Sequence, residues 1–332
     1  MRVLISQERP GHTETIASFV QNFSELGHAV DVCSPDAYQN LTLYQEQGMK
    51  FSVVGDEVAW SGLRDGKYGA VVFNSAHLTM EGEGGPFSLK LVKQLDEMKF
   101  DRRRVFRLHH SFHSAKTLSK YVELGTTSLM AAVTEFCYTP YARIDGFTPN
   151  VTAPICIGLL GGAYQGARVH RNLEKVRALA ERIDQNRSPV KMKWFLTKAT
   201  PEISSLLADF RCFEIREGLS TAEILSELSQ ERSFMGTFLN RETRYHKQSL
   251  TGTLTFAVNA GIPVVLDQQL ASIYGLGGVG MLEYGRAVDM EERFLSLTDN
   301  EYLQSVSSLA SFRKRQIQAN VELIGAILSK SI

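Results

Sequence analysis

Residues 2–33, RVLISQERPGHTETIASFVQNFSELGHAVDVC, contain the pattern that decides the fold. Arg2–Ser6 is a short apolar run, which is typical of a buried parallel strand, and a polar turn with one glycine follows it. Thr13–Leu26 then places apolar residues at helical spacing, and Gly27 ends that helix. Ala29–Cys33 predicts the next strand. The order strand, turn, helix, glycine, strand is typical of the opening of a doubly wound α/β sheet.

The same alternation continues and predicts a first domain over residues 1–150. Its further predicted strands are Tyr68–Ser75, Arg104–His109 and Ser128–Val133, and its further predicted helices are Phe87–Met98 and Ser114–Leu124. Thr139–Ala153 lacks this periodicity and contains two prolines and a glycine. We interpret that segment as the connection between two domains.

A second alternating series predicts another domain over residues 151–311. Its predicted strands are Pro154–Leu160, Val190–Leu196, Cys212–Ile215, Phe234–Leu239 and Ile262–Asp267, with helices between them. A capping box at Thr298 opens a long helical tail, and we assign its residues 312–332 to the first domain. The expected architecture is therefore two Rossmann-like parallel-sheet domains. Ligands bind such sheets at the carboxyl ends of their strands, so the expected site is a cleft between the domains.

Composition limits the classes of function. The 332 residues carry 36 Lys and Arg against 36 Asp and Glu, a formal net charge of +0. This balance argues against a protein that binds nucleic acid mainly by neutralising phosphates, although a local basic groove is not excluded.

The four cysteines have no paired spacing, and no apolar run reaches the roughly 20 residues of a transmembrane helix. Without a secretory apolar segment near Met1, the sequence predicts a soluble cytoplasmic protein.

The most informative segment is Thr251–Asp267, TGTLTFAVNAGIPVVLD. Small hydroxyl residues and Gly252 open a short helix there, and the N–H groups of a first helical turn have no intrahelical partners. Such a turn binds phosphate or diphosphate well. The alternative is that Thr251 or Thr253 only caps the helix. Gly252 favours the binding interpretation because it lets a ligand approach the backbone closely.

This segment resembles the signature of GT-B glycosyltransferases, in which a small-residue turn and helix lead into an Ala-Gly-x-Pro-Val-Val strand. Gly158–Asn172 resembles the first strand and glycine loop of the family's C-terminal domain, and Arg216–Leu228 resembles the segment that ends in its step helix. The resemblance implies that the turn binds the diphosphate of a nucleotide-sugar donor. It also implies a C-terminal helix that crosses back to the N-terminal domain.

The sequence departs from the family pattern at the residues around this helix. When Gly261 is placed on the family glycine, Gln248 and Phe256 stand where the largest retaining group carries two glutamates. A related bacterial branch has a Tyr-Lys pair near the helix start, where this chain has Gly252 and Thr253. The sugar contacts and the stereochemical outcome are therefore left open.

Three histidines are the candidate catalytic residues. His109 and His110 follow a predicted strand, where the GT-B resemblance implies a histidine that faces the sugar, and His12 lies beside Gly11 in the first loop. Each can act as a general base on an acceptor hydroxyl, or be an ordinary imidazole in a loop. That first loop lacks the GxGxxG spacing of a dinucleotide site. His109 and His113 are four apart but have no acidic partner nearby, which disfavours a metal site.

The candidate donor-binding residues are glycines, hydroxyl residues, cations and one carboxylate in loops after strands. The cations neutralise the leaving diphosphate, with Arg171 near Arg168 as a further cation of the same loop, and Glu217 can hold the ribose or the base. A surface charge is the alternative for each. The donor set is Gly11, Gly162, Arg168, Lys198, Glu217, Arg241, Thr251, Gly252 and Thr253.

The sequence and the resemblance together predict a hexosyltransferase-type glycosyltransferase. Its donor is a nucleotide-sugar, with a UDP-sugar preferred, and its acceptor is a glycan or another hydroxyl compound. No cofactor and no metal is required, nucleic acid is disfavoured as an acceptor, and a homodimer is left open. The alternatives are a nucleotide-sugar epimerase or hydrolase of the same fold, and a non-catalytic sugar- or nucleotide-binding partner.

Overall fold

The computed structural model describes most of the chain as two compact units. The described residues are 1–7, 13–34, 39–74, 86–109, 121–126, 136–161, 164–165, 168–169, 171–240, 251–283 and 287–330. The N-terminal unit comprises Met1–Ala142 and Lys314–Ile332. The C-terminal unit comprises Arg143–His246 and Thr251–Arg313.

The N-terminal unit is built on a seven-stranded sheet in which every pair of neighbouring strands is parallel. The strand order is β3-β2-β1-β4-β5-β6-β7. The elements are β1 (Arg2–Ser6), α1 (Thr13–Glu25), β2 (Ala29–Cys33), α2 (Gln39–Glu46), β3 (Ser52–Val54), α3 (Asp56–Arg64), β4 (Ala70–Phe73), α4 (Pro86–Glu97), β5 (Val105–His109), β6 (Val122–Gly125) and β7 (Phe136–Cys137).

The core of this unit follows from the pattern that predicted it. Strands β1 and β4 are apolar runs covered on both faces, and the central Leu4 and Val71 have no exposed surface. Helix α1 presents Phe19 and Phe23 inward, and Phe19 stacks on Tyr138 with ring centroids 4.5 Å apart. The direction of the strand order reverses between β1 and β4, which is the switch point of this sheet.

The predicted helix Ser114–Leu124 is wrong at its C-terminal end, and its residues 114–120 lie outside the described residues. Its last described residues form strand β6, which pairs in parallel with β5. The tetrad Val-Glu-Leu-Gly is buried throughout, as an internal strand requires. Apolar spacing alone does not separate a short buried strand from a helix, which explains the wrong prediction. The predicted strand Ser128–Val133 lies outside the described residues.

The C-terminal unit is built on a six-stranded parallel sheet with the order β12-β11-β8-β13-β14-β15. A separate antiparallel pair joins β9 and β10. The elements are β8 (Ile155–Leu160), β9 (Tyr164–Gln165), β10 (Arg168–Val169), α5 (Leu173–Asn186), β11 (Lys191–Leu196), α6 (Pro201–Leu207), β12 (Phe213–Glu217), α7 (Thr221–Ser229), β13 (Arg232–Gly236), α8 (Gly252–Ala260), β14 (Val264–Leu266), α9 (Gln268–Ile273), β15 (Met281–Glu283), α10 (Ala287–Leu295) and α11 (Asp299–Ser329). The residues of α11 from Lys314 onward belong to the N-terminal unit.

Two features of the C-terminal half position the elements that matter for function. The strand order reverses between β8 and β13, so their carboxyl ends are the switch point of the second sheet. The predicted capping box opens α11, because the Thr298 N–H donates to Glu301 at 2.9 Å and the Glu301 N–H donates to the Thr298 hydroxyl at 3.2 Å.

The predicted fold class, two Rossmann-like parallel-sheet halves, is confirmed. Within the described part of the chain, no helix is both long enough and apolar enough to cross a bilayer.

Candidate functional site

The first turn of α8 lies at the carboxyl edge of the second sheet and exposes main-chain donors. Gly252 is exposed, whereas Thr251 and Thr253 are each 4% exposed. The Thr251 N–H donates to the Tyr274 hydroxyl at 3.1 Å, and the Thr251 side chain makes no capping hydrogen bond. Among the described residues, the N–H groups of Gly252 and Thr253 meet no acceptor. These two amides, at the positive end of the helix dipole, are suited to bind an anion.

The Thr253 side chain does not cap α8 but ties it to the sheet. Its hydroxyl donates to the Leu160 carbonyl at 3.0 Å and accepts from the Arg171 guanidinium at 2.8 Å. Leu160 is the last residue of β8. The sequence placed Thr253 correctly at the turn, and the structure adds that its hydroxyl hydrogen is already used inside the unit.

Arg171 lies across the carboxyl ends of the two strands at the switch point. It is 4% exposed, and its guanidinium donates to the Leu160 carbonyl, the Thr237 carbonyl and, at 3.4 Å, the Gly236 carbonyl. The planar fork of an arginine matches carbonyls that converge in this way. The sequence identified Arg171 only as one cation of the glycine loop. Its proximity in space to Thr253, 82 positions later, has no signature in the sequence.

The chain after β13 folds back over Arg171. Leu239 and Arg171 form an isolated antiparallel bridge, and the Asn172 N–H donates to the Phe238 carbonyl at 2.6 Å. Phe238 adopts a left-handed backbone with φ of 38°, which is costly for an aromatic residue. Gly236 makes room for its ring, since a Cβ there would lie 2.3 Å from Phe238 Cε2. This backbone strain lies directly after β13, at the switch point of the sheet.

Two other predicted donor residues lie at neighbouring strand ends of the same sheet. Lys198 follows β11 and is exposed, and Glu217 is the exposed last residue of β12. The Glu217 carboxylate accepts a hydrogen bond from the Ala199 N–H, and the Gly218 N–H donates to the Leu196 carbonyl at 2.9 Å. Glu217 thus joins the loops that follow β11 and β12. A role of Glu217 and Lys198 in donor binding stays a prediction.

His109 is the one candidate catalytic histidine among the described residues, and it is fully buried. Its Nε2 atom is hydrogen-bonded to Glu123 Oε2, while Arg107 donates to Glu123 Oε1 at 2.8 Å. Burial lowers the pKa of Arg107, and the Glu123 carboxylate acts against this shift. The sequence missed Glu123 because its partners are set by the pairing of β5 with β6, which places Arg107 opposite Glu123.

A second buried polar cluster lies at the switch point of the first sheet. The Thr15 hydroxyl donates to Asn74 at 2.7 Å, and the Asn74 amide donates to Gln7 at 2.7 Å. The Ser6 hydroxyl, at the end of β1, is buried and has no hydrogen-bond partner among the described residues. These groups are neutral, so the cluster is better suited to bind the hydroxyl groups of a ligand than its charged groups. In the sequence, the only indication of this cluster is that Gln7 and Asn74 directly follow two strands.

Several predicted site residues lie outside the description. Gly11, His12, His110, Gly162 and Arg241 are not among the described residues, and for Arg168 only the backbone in β10 is described. His113, the proposed partner of His109 in a metal site, is likewise outside. Over the described ranges, no three His, Cys, Asp or Glu side chains converge in a way that suits a metal ion.

Comparison by sequence finds no match: no family model and no curated protein is similar to the chain. Comparison by structure finds solved structures that are similar over most of the chain. A glycosyltransferase from Rickettsia africae has a TM-score of 0.63 at 10% identity and covers 98% of both chains. Alr3699/HepE of Anabaena, in complex with UDP and glucose, has a TM-score of 0.61 at 12% identity and covers 99% of this chain and 100% of its own.

The fold is not confined to transferases. A UDP-N-acetylglucosamine 2-epimerase homologue from Listeria monocytogenes has a TM-score of 0.54 at 8% identity, and covers 93% of this chain and 91% of its own. These likenesses show a shared fold, that of GT-B glycosyltransferases, as the sequence predicted.

Proposed function

We propose that this protein is a glycosyltransferase whose donor is a nucleotide-diphosphate sugar, with UDP as the nucleotide. The observation that carries the proposal is the exposed first turn of α8, whose Gly252 and Thr253 amides meet no acceptor among the described residues. The complex of HepE with UDP and glucose supports UDP as the nucleotide. The neutral composition and the fold fit this assignment as well.

The chemistry of the transfer explains why such a turn is useful. When the bond between sugar and diphosphate breaks, negative charge grows on the leaving diphosphate. Amide donors and the positive end of α8 stabilise that charge, and a helix terminus contributes about 0.3–2 kcal/mol to such an interaction. Lys198 and Glu217 are proposed to bind the nucleoside side of the donor, and Arg168, Arg241 and Gly162 the diphosphate side. No metal is needed for this step.

The acceptor hydroxyl is proposed to bind the N-terminal unit. His12, His109 and His110 remain the candidate bases. Gly11 directly precedes His12 in the sequence. Since Nε2 of His109 is hydrogen-bonded to Glu123, this atom is not the one that takes the acceptor proton. A direct role of His109 would fall to Nδ1, with Glu123 fixing the ring tautomer.

One alternative has a specific observation in its favour. The epimerase homologue from Listeria monocytogenes shares the fold, so an enzyme that processes the nucleotide-sugar without an acceptor is the second candidate. Incubation of the protein with UDP-sugars alone, followed by product analysis, separates the two. A new sugar isomer or free sugar without any acceptor would support the epimerase or hydrolase.

A thermal-shift screen with UDP, GDP, CMP and dTDP tests the donor class. A nucleotide that binds only the folded protein stabilises it by about 2.7 kcal/mol at a concentration one hundred times Kd. We expect UDP to raise the melting temperature most. If no nucleotide raises it, the proposal is wrong. If UDP binds but no donor is turned over with a panel of acceptors, the protein is a binding partner rather than an enzyme.

A further inference from the structure

The indole of Trp194 is hydrogen-bonded to the loop that follows β8. Trp194 lies in β11 opposite Leu159 of β8, and it has no exposed surface. Its Nε1–H donates to the Gly161 carbonyl at 2.8 Å, although the two residues are 33 positions apart. A buried indole N–H needs an acceptor, and here that acceptor belongs to the first residue after β8. Trp194 therefore connects the interior of the sheet with this loop.

Gly161 is bound to β11 through its second main-chain group as well. Its N–H donates to the Phe195 carbonyl at 3.0 Å, so two consecutive residues of β11 bind both polar groups of this glycine. Gly161 has φ of +82°, in the left-handed region that a glycine adopts without strain. It is exposed, and a Cβ there would meet no atom within 4 Å. Glycine is therefore favoured here by the backbone conformation and not by a lack of space.

These two hydrogen bonds set the direction in which the chain leaves the sheet. Strand β8 is one of the two strands at the switch point, and ligands of a parallel sheet bind at the carboxyl ends of such strands. A left-handed residue directly after the strand turns the chain, and the hydrogen bonds from β11 fix that turn. Gly162 comes next in the sequence, and the proposed function assigns it to the diphosphate side of the donor. The turn at Gly161 is thus the point from which the proposed diphosphate loop starts.

We infer that Trp194 is a positioning residue for the donor, which acts through the Gly161 carbonyl and does not contact the ligand. Its N–H holds the start of the loop in the orientation that binds the diphosphate. Loss of this N–H releases the loop without removing a ligand contact. The inference rests on the proposed binding of a nucleotide-sugar donor. It predicts that the affinity for UDP falls, whereas the affinity for uridine, which has no phosphates, changes little.

Variants at Trp194 and Gly161 test this role. Trp194→Phe removes the N–H and keeps an aromatic ring in the core. Phe213→Leu is its control, because the Phe213 ring lies edge-on to Trp194 with centroids 6.3 Å apart, so this change disturbs the packing and leaves the N–H in place. Gly161→Val and Gly161→Asn add side chains of similar size, but asparagine tolerates the left-handed conformation and the β-branched valine does not.

The measurements are Kd for UDP by calorimetry, Kd for uridine by displacement of UDP, and the melting temperature of each variant. We expect Trp194→Phe to weaken UDP about five-fold, as the loss of an ordinary hydrogen bond can, and uridine less than about two-fold. Phe213→Leu should lower the melting temperature but stay within about two-fold of wild type for UDP.

The glycine variants show whether Trp194 acts through the turn. Gly161→Val should weaken UDP at least as much as Trp194→Phe does, and Gly161→Asn should weaken it less than Gly161→Val. The double variant Trp194→Phe/Gly161→Val should bind UDP no more weakly than Gly161→Val alone, because both changes release the same loop.

Other outcomes overturn the inference. If Trp194→Phe melts at a lower temperature but binds UDP as wild type does, or if UDP and uridine weaken by the same factor, Trp194 only stabilises the core. If Trp194→Phe does not fold, the glycine pair decides, and equal UDP affinities of Gly161→Val and Gly161→Asn count against a positioned loop. Wild-type protein that binds no nucleotide refutes the proposed function as well, whereas an unaffected Trp194→Phe variant refutes this inference alone.

Discussion

Gly252 shows how much of the candidate site depends on single main-chain groups. It is the exposed first residue of α8, and its N–H meets no acceptor among the described residues. Thr251 before it has φ of −98° and ψ of 121°, an extended conformation that also suits a residue before proline. A proline at position 252 therefore removes one amide donor while the helix stays intact.

We expect Gly252→Pro to weaken UDP about 10–100-fold, because a hydrogen bond to a charged group contributes about 1.5–3 kcal/mol. Its melting temperature should stay close to that of wild type. Gly252→Ala keeps the N–H and adds a methyl group, so the same calorimetric titration measures the effect of a side chain at this position separately from that of the amide. A Pro variant that binds UDP as tightly as wild type would show that this amide does not bind the diphosphate.

Glu123 is a second residue whose importance is visible only in three dimensions. Its two carboxylate oxygens accept from Arg107 and from His109, and all three side chains are buried. Removing one partner of a buried ion pair leaves the other charge without compensation, which typically costs about 3–5 kcal/mol.

We therefore expect Glu123→Gln to lower the free energy of unfolding by about 3 kcal/mol or more in urea titrations. Glu97→Gln is the control, because Glu97 forms an exposed ion pair with Lys93 at 3.7 Å and such pairs contribute about 0–1 kcal/mol. Similar stabilities of the two variants would mean that the buried cluster contributes little.

At the scale of the elements, helix α8 ends in a glycine cap. Gly261 closes the helix with φ of +78°, and its N–H and that of Ile262 return to carbonyls of the last turn. The nearest atom to a Cβ at Gly261 would be Arg313 Nη1 at 3.7 Å, so there is space for a methyl group. Any cost of a side chain there comes from the backbone conformation alone.

Gly261→Ala should reduce the free energy of unfolding by about 1 kcal/mol, the cost of placing an L-residue in the left-handed region. Gly277→Ala is the matched control, since Gly277 is exposed and a Cβ there meets no atom within 4 Å. Chemical denaturation of both variants measures the difference. If both lose the same stability, the left-handed cap is not the cause.

The sequence predicts long elements better than short ones. Helix α1 and strands β1 and β8 follow from clear periodicity, and the capping box at Thr298 opens α11 as expected. Strand β3 has three residues, two of them exposed, so its apolar signal is too weak to detect. Strand β6 is similarly short, and its strand conformation is stabilised by pairing with β5 rather than by local propensity.

For the whole molecule, the sequence predicts the fold more completely than the site. The alternation of strands and helices is a local property, so two parallel sheets can be inferred without coordinates. The helix start at Thr251–Thr253 is also a local feature and is present in the structure, while its role in binding stays a prediction. The contacts of Arg171 with Thr253 and of Glu123 with Arg107 join residues 82 and 16 positions apart, and only the strand order brings them together.

The stability of the whole molecule at acid pH depends in part on the ionised side chain of Asp31. This buried carboxylate in β2 accepts hydrogen bonds from Arg2, Lys67 and Tyr68, at 2.7–2.9 Å. Burial by itself raises the pKa of Asp31, but these hydrogen bonds outweigh it and hold the pKa below its ordinary value. A carboxylate with a lowered pKa stabilises the fold above its unfolded pKa, and that contribution is lost as the pH falls.

The stability difference between wild type and Asp31→Asn should therefore be largest near neutral pH. It should shrink as the pH falls below about 4, the ordinary pKa of an aspartate, through the lower pKa of folded Asp31. Urea titrations at pH 7, 5, 4 and 3 measure the gap. A gap that does not change over this range would show that the ionised form of Asp31 is not what stabilises the sheet.

The anchoring of Arg171 on peptide oxygens also bears on how such a protein diverges. Main-chain acceptors are present whatever amino acid occupies positions 160, 236 and 237, so the anchor does not dictate side-chain identity there. Substitutions that respect packing can accumulate around it while the guanidinium keeps its place. The amino acids around the guanidinium can therefore change more than the positions of the oxygens that bind it.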